Sequence, residues 1–160
     1  MDVTLEQFEW AMAVGVGIRR QMASISRPDN HGFHGDGWGV HIEGACGEMA
    51  VAKAVNVYWD GSVNSFRRPD LPGIQVKTRS EDFYDLIVRP CDDDDAAFVL
   101  VSGRSPSFKI HGWIRGAEAK QEEFLQTHGG RPPAFFVPKE RLRPIGELHG
   151  LHHESKEVAT

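Results

Sequence analysis

Apolar residues in this chain recur at helical spacing before Val57, and from Ile74 onward they fall in short extended runs broken by Pro and Gly. A chain that changes period in this way lays helices against a sheet, so the pattern points to an α/β fold. Thr4 followed by Gln7 reads as a capping box, and Leu5, Phe8, Met12 and Gly15 then repeat at helical spacing. Together they predict an amphipathic helix over about 5–22. Residues 26–44 turn to Gly, His, Asp and Pro and read as a long loop. Residues 45–57 predict a second helix, on which Ala45, Glu48, Ala52 and Val55 share a face. An acid therefore sits on an otherwise apolar stripe.

Residues 74–79 alternate as a half-buried strand does, with Ile74, Val76 and Thr78 on the core face and Gln75, Lys77 and Arg79 on the other. With 63–68 as an extended segment and Leu71-Pro72-Gly73 as a turn, a β-hairpin is expected. A two-residue Pro-Gly loop would set Leu71 opposite Ile74 and Asp70 opposite Gln75. Pro cannot take the positive φ that such hairpins favour at the first central position, so a longer loop with a shifted register stays open. Residues 80–88 read as a short helix, with a strand at 86–89 as the alternative. Residues 96–101 and 107–114 predict an antiparallel pair of strands, 117–126 a helix, 134–137 a last strand, and the chain from 146 a polar tail.

The 160 residues suit one domain, which buries roughly 70% of the surface of its unfolded chain. No apolar run approaches the ~18 residues of a membrane span, and Asp2 and Glu6 stand where a signal peptide would be basic. Two cysteines without a CxxC pair fit a reducing cytoplasm. The net charge of −5 argues against a protein that coats nucleic acid over its whole surface, yet residues 99–146 carry eight basic against four acidic side chains. No phosphate-binding loop with Lys-Ser/Thr is present and the glycines at 35–39 do not follow GxGxxG, so no nucleotide cofactor is expected.

The chemistry concentrates around Asp70. Its carboxylate, the carbonyl of the Gln75 side group and the backbone carbonyl of Val76 are hard oxygen donors of the kind that Mg²⁺ or Mn²⁺ selects. Lys77, on the face of Gln75, is placed to orient or deprotonate a water and to stabilise charge on a phosphate, and Glu48 can complete the acid set. Pro69-Asp70, then Gln75-Val76-Lys77, with Glu48 in an upstream helix, resembles the PD-(D/E)XK nuclease superfamily. The likeness is to small phage and mobile-element nucleases related to Holliday-junction resolvases and VRR-type nucleases. The runs Trp59-Asp60-Gly61-Ser62-Val63, Lys77-Thr78-Arg79 and Gly112-Trp113-Ile114 are similar to phage proteins of that kind.

The resemblance covers about 44–142. It implies a restriction-endonuclease-like αβββαβ core with a mixed central sheet over about 44–145, behind an N-terminal helix and Gly/His-rich loop (1–43), with 146–160 as a tail. It further implies a DNA nuclease in which Asp70 and Gln75 bind the metal, Lys77 is the catalytic lysine and Glu48 the helix acid; Arg79, on the face of Lys77, is read either as a contact to the DNA phosphate or as an ordinary exposed strand arginine. A homodimer is compatible, because paired cuts need two sites. The sequence departs from the family at one place, where Gln75 stands for Asp or Glu and removes a negative charge from the cation site. That residue separates an active nuclease from a silent nuclease fold that binds DNA or a protein.

Competing readings are plainer. Asp70 is an ordinary turn residue, Gln75 and Lys77 ordinary residues of a polar strand face, and Glu48 suits a helix start. His31, His34, His41, His149, His152 and His153 could hold zinc in an interaction domain. The acid run 92–95 fails as a calcium loop, having Ala97 at position six and Gly103 at position twelve.

Overall fold

The computed structural model describes residues 1–25, 36–63 and 68–148. The elements are β1 (Asp2–Thr4), α1 (Gln7–Ser24), α2 (Gly37–Val55), β2 (Ile74–Arg79), β3 (Leu86–Val88), β4 (Ala97–Arg104), β5 (Ser107–Arg115), α3 (Gly116–Ala119), β6 (Leu125–Gln126) and β7 (Ala134–Val137). A mixed sheet has the order β1-β5-β4-β2, in which β2 and β4 are parallel and the other pairs antiparallel; β3, β7 and β6 form a second, antiparallel sheet. No helix among the described residues is long and apolar enough to cross a membrane.

β4 is the centre of the molecule. Its first six residues are buried, and the first five, Ala97 to Val101, are a continuous apolar run of the sort found in strands covered on both faces. Val99 and Val101 join the core under α1 and α2, with Ala45, Val51, Ile74 and Trp113. Phe98 and Leu100 point the other way, into a second core with Leu86, Val88, Phe124 and Val137. The alternation expected of β2 holds: Ile74 and Val76 pack into the first core, while Lys77 lies over the Phe98 ring on the other face.

Both long helices differ from their sequence outlines. α1 is capped not by Thr4 and Gln7 but by Glu6, whose N–H donates to Glu9 Oε2 at 2.7 Å, because Thr4 is held in β1 opposite Ser107. Its buried residues are Ala13 and Gly17, so the Phe8, Met12, Gly15 stripe that marked it as amphipathic faces outward. Of the loop expected at 26–44, residues 26–35 lie outside the described residues and 37–44 are helix. Asp36 accepts from the Trp38 N–H at 3.0 Å as N-cap, and packing of α1 against α2 outweighs the poor helix propensity of the glycines. Gly47 is required by close approach: a Cβ there would stand 2.0 Å from Thr78 Oγ1, so its absence seats α2 on β2.

The hairpin is replaced by a parallel pairing. Pro72-Gly73 is a two-residue turn, with backbone bonds in both directions between Leu71 and Ile74 and Gly73 at φ +70°, the signature of a type II turn. Such a turn splays the arms that a primed turn would keep together, and the antiparallel bridge stops after this one pair. Val63 and Arg68 are not in a strand, residues 64–67 lie outside the described ones, and β2 takes β4 as its neighbour. The helix expected at 80–88 is a turn followed by β3. Helix 117–126 shrinks to the single turn of α3, a 3-10 turn at Glu122–Phe124 and β6. The αβββαβ order is not kept: four strands separate α2 from α3, and the helix expected after the third strand is a four-residue turn after the fourth. The tail begins later than expected, since Ile145 and Leu148 are buried.

Gly47→Ala should lower stability to chemical denaturation by about 1–2 kcal/mol, the clash outweighing the roughly 1 kcal/mol gained in helix propensity. Adding Thr78→Ala should restore a good part of the loss. Additive losses in the double variant would show that the clash is not the cause.

Candidate functional site

The site is built on a buried ion pair. Arg20, near the end of α1, donates from Nη1 to Glu48 Oε1 at 2.6 Å and from Nη2 to Glu48 Oε2 at 2.9 Å, a bidentate fork. The Trp59 indole N–H donates to Glu48 Oε2 at 2.9 Å, and Arg20 Nε donates to the Ser62 carbonyl at 3.0 Å. Glu48 is 5% exposed. Burial disfavours the Arg20 charge, yet the Glu48 carboxylate, with Asp70 and Asp60, holds its proton affinity above the ordinary value.

Asp70 stands at the mouth of this network. Its Oδ2 accepts from the Val76 N–H at 2.7 Å. Successive strand residues turn their backbone polar groups alternately to the two sides, so Val76 presents both N–H and C=O to the edge away from β4. Asp70 is pushed up to about 6 by burial and by the charge of Glu48, against the Val76 N–H and the Lys77 and Arg20 cations. A cleft of about 340 Å³ is lined by Arg20, His41, Asp70, Gln75, Asp92 and Phe98, among others. His41 is driven towards its neutral form by burial and by Arg20.

Asp70 and Gln75 are therefore brought together in one cleft. Glu48 stands behind Arg20 and acts on Asp70 through its charge. Lys77 does not line the cleft and touches two residues that do, with Nζ 3.7 Å from Asp92 Oδ2 and 5.4 Å from the Phe98 ring centroid. Arg79 is elsewhere: it stacks on Tyr84 at 4.3 Å and lines a second cleft with Thr78, Glu43 and Arg104. Among the described residues no three His, Cys, Asp or Glu side chains are grouped closely enough to hold a metal ion. A cation at Asp70 would therefore rest on one carboxylate, the Gln75 amide oxygen, the Val76 carbonyl and water. That donor set suits a hard cation that keeps much of its hydration. Of the histidines weighed for zinc, His41 is described and the other five lie outside the described residues.

The sequence reading missed Arg20, and a signal was there: Ala13, Gly17, Arg20 and Ser24 fall on one helical face, and the two small residues at its start are the buried ones. It also missed how the acid run 92–95 is held. Lys120 Nζ donates to the Pro90 and Asp92 carbonyls at 3.0 and 2.5 Å and to Asp94 Oδ1 at 2.6 Å. The basic half of the sequence is largely paired. Arg141 meets Glu123, Arg143 meets Glu118, and Lys109 and Lys139 meet Asp82. No protein-family model, curated protein or solved structure matches this sequence.

Arg20→Leu should cost about 3–5 kcal/mol, because it leaves Glu48 buried without its cation, and adding Glu48→Leu should recover most of that loss in urea melts. A second outcome concerns pH. A folded-state value of about 6 lies above the ordinary 3.8, so the folded protein holds the Asp70 proton more tightly and loses stability as pH rises from about 4 to about 6. Asp70→Asn should remove that component. The variant should gain on the parent across this window, to about 3 kcal/mol at pH 7, in unfolding curves taken at several pH values.

Proposed function

We propose that the protein is a divalent-metal-dependent nuclease that hydrolyses DNA phosphodiester bonds, of the PD-(D/E)XK type. In this reading α2 is the opening helix of that core and β2 its lysine-bearing strand. The observation that carries it is the pairing of Asp70 with β2: the acid is hooked to Val76 at the open strand edge, in one cleft with Gln75, and Lys77 projects from the same strand. Asp70, the Gln75 amide oxygen and the Val76 carbonyl would hold Mg²⁺ or Mn²⁺. Held by these residues, the cation would supply Lewis acidity to the phosphate and a lowered pKa to a bound water.

The protein's own residues do the rest. The Val76 N–H fixes the Asp70 carboxylate. The Arg20–Glu48 pair fixes the wall behind it, and the Glu48 charge favours occupation of the Asp70 site by a cation. Lys77 orients the attacking water and neutralises charge on the phosphoryl oxygens as it develops. One observation favours the second reading, a silent nuclease fold that binds DNA or a protein: Glu48 is engaged by Arg20 and Trp59, and Lys77 stands beside Asp92.

Incubation with single-stranded, duplex and branched labelled DNAs in Mg²⁺, Mn²⁺ and EDTA separates the two. The nuclease cuts only with metal, Lys77→Ala lowers the rate by ~10²-fold with little change in metal affinity, and Gln75→Glu tightens metal binding and raises activity at low Mg²⁺. Metal binding gained by Gln75→Glu without cleavage would establish the silent fold. Cleavage that survives EDTA, or a Gln75→Glu variant unchanged in both respects, would overturn the assignment.

A further inference from the structure

The outward face of α1 is a large surface that the cleft does not use. Phe8, Met12, Ile18, Met22 and Ile25 are 76%, 46%, 37%, 62% and 67% exposed. With Gly15 they form a stripe on the side opposite the buried Ala13 and Gly17. A helix on the surface of a globular protein normally turns charge to water. Here Arg19 is the one charged residue of α1 close to the stripe, because Glu9 pairs with Lys53 and Arg20 with Glu48. A contiguous apolar strip of this length marks an interface.

The stripe is arranged about its own middle. Gly15 is at the centre, with open space where a Cβ would be, Met12 and Ile18 flank it, and Phe8 and Met22 lie seven residues to either side. A two-fold axis through Gly15 would set α1 antiparallel to its copy, with Phe8 against Met22 and Met12 against Ile18 of the second copy. The glycines at the crossing would let the two backbones approach, and the two Arg19 side groups would lie apart on opposite sides of the axis. At roughly 200 Å² for a fully exposed large side group, the four paired residues bury on the order of 440 Å² per copy. Gln7, Ala11, Arg19 and Ile25, all exposed beside them, bring this to the small end of the range around the ~800 Å² of a standard interface.

We propose that this protein pairs with a second copy of itself through the outward face of α1, as an antiparallel two-fold dimer crossing at Gly15. The inference is independent of the nuclease reading, since none of these residues touches the cleft.

Sedimentation of the full-length protein tests it. A concentration-dependent dimer is expected, with dissociation in the micromolar range, as suits an interface at the small end of the standard size. Phe8→Glu and Met22→Glu should each weaken it at least tenfold while leaving the circular dichroism and melting temperature of the monomer unchanged, because both residues already face solvent. In a Cys91→Ser background, the Phe8→Cys variant mixed with the Met22→Cys variant should be joined by a short bismaleimide, and either alone should not. A protein that stays monomeric to about 200 µM overturns the proposal. So does a dimer indifferent to both glutamates, or cross-linking of the Phe8→Cys variant to itself.

Discussion

The Arg20–Glu48 pair is the interaction on which the cleft depends. A carboxylate on the inner face of a helix is several kcal/mol unfavourable unless it is matched by charge and hydrogen bonds, and here both of its oxygens are used. Matching them sets the rotation of α1 relative to α2 and draws Trp59 and Ser62 in behind it. The 59–63 segment thus becomes a wall of the site without being part of any helix or strand. The same negative charge makes Asp70 reluctant to ionise, so the clamp that holds the scaffold also tunes the residue at its mouth.

The sheet gives the site its address. β4 is sealed on both faces, which leaves β2 at the rim, with one side of its backbone unpaired by any strand among the described residues. Exposed strand edges invite foreign strands. On this one the type II turn satisfies Ile74 and Asp70 takes the next free N–H, at Val76. The carboxylate therefore protects a strand edge while standing in a cleft.

Local rules made much of this legible. Strands β2, β4, β5 and β7 were visible from period and punctuation, as were the buried face of Ala45, Glu48, Ala52 and Val55 and the facing of Leu71 and Ile74 across Pro72-Gly73. What failed was decided at a distance. The glycines at 37–44 spell a loop by propensity, but α1 gives them a surface to pack on. The sequence around Asp70 suggests a hairpin, yet the partner of β2 is a strand more than twenty residues on, chosen because β4 can cover both cores. The apolar period of α1 identified a helix correctly and its inner face wrongly, since small residues, not large ones, line the contact with α2. The basic half is basic only in one dimension, because folding brings acids to its cations.

The lysine in the acidic loop has a wider meaning. An ammonium gripped by two carbonyls and a carboxylate occupies the sort of oxygen nest that elsewhere collects a calcium ion, but this cation is tethered to the protein by covalent bonds. Its local concentration is set by the fold and not by the solution. The loop that carries Asp92 to the cleft therefore keeps its shape through a cation of the protein's own.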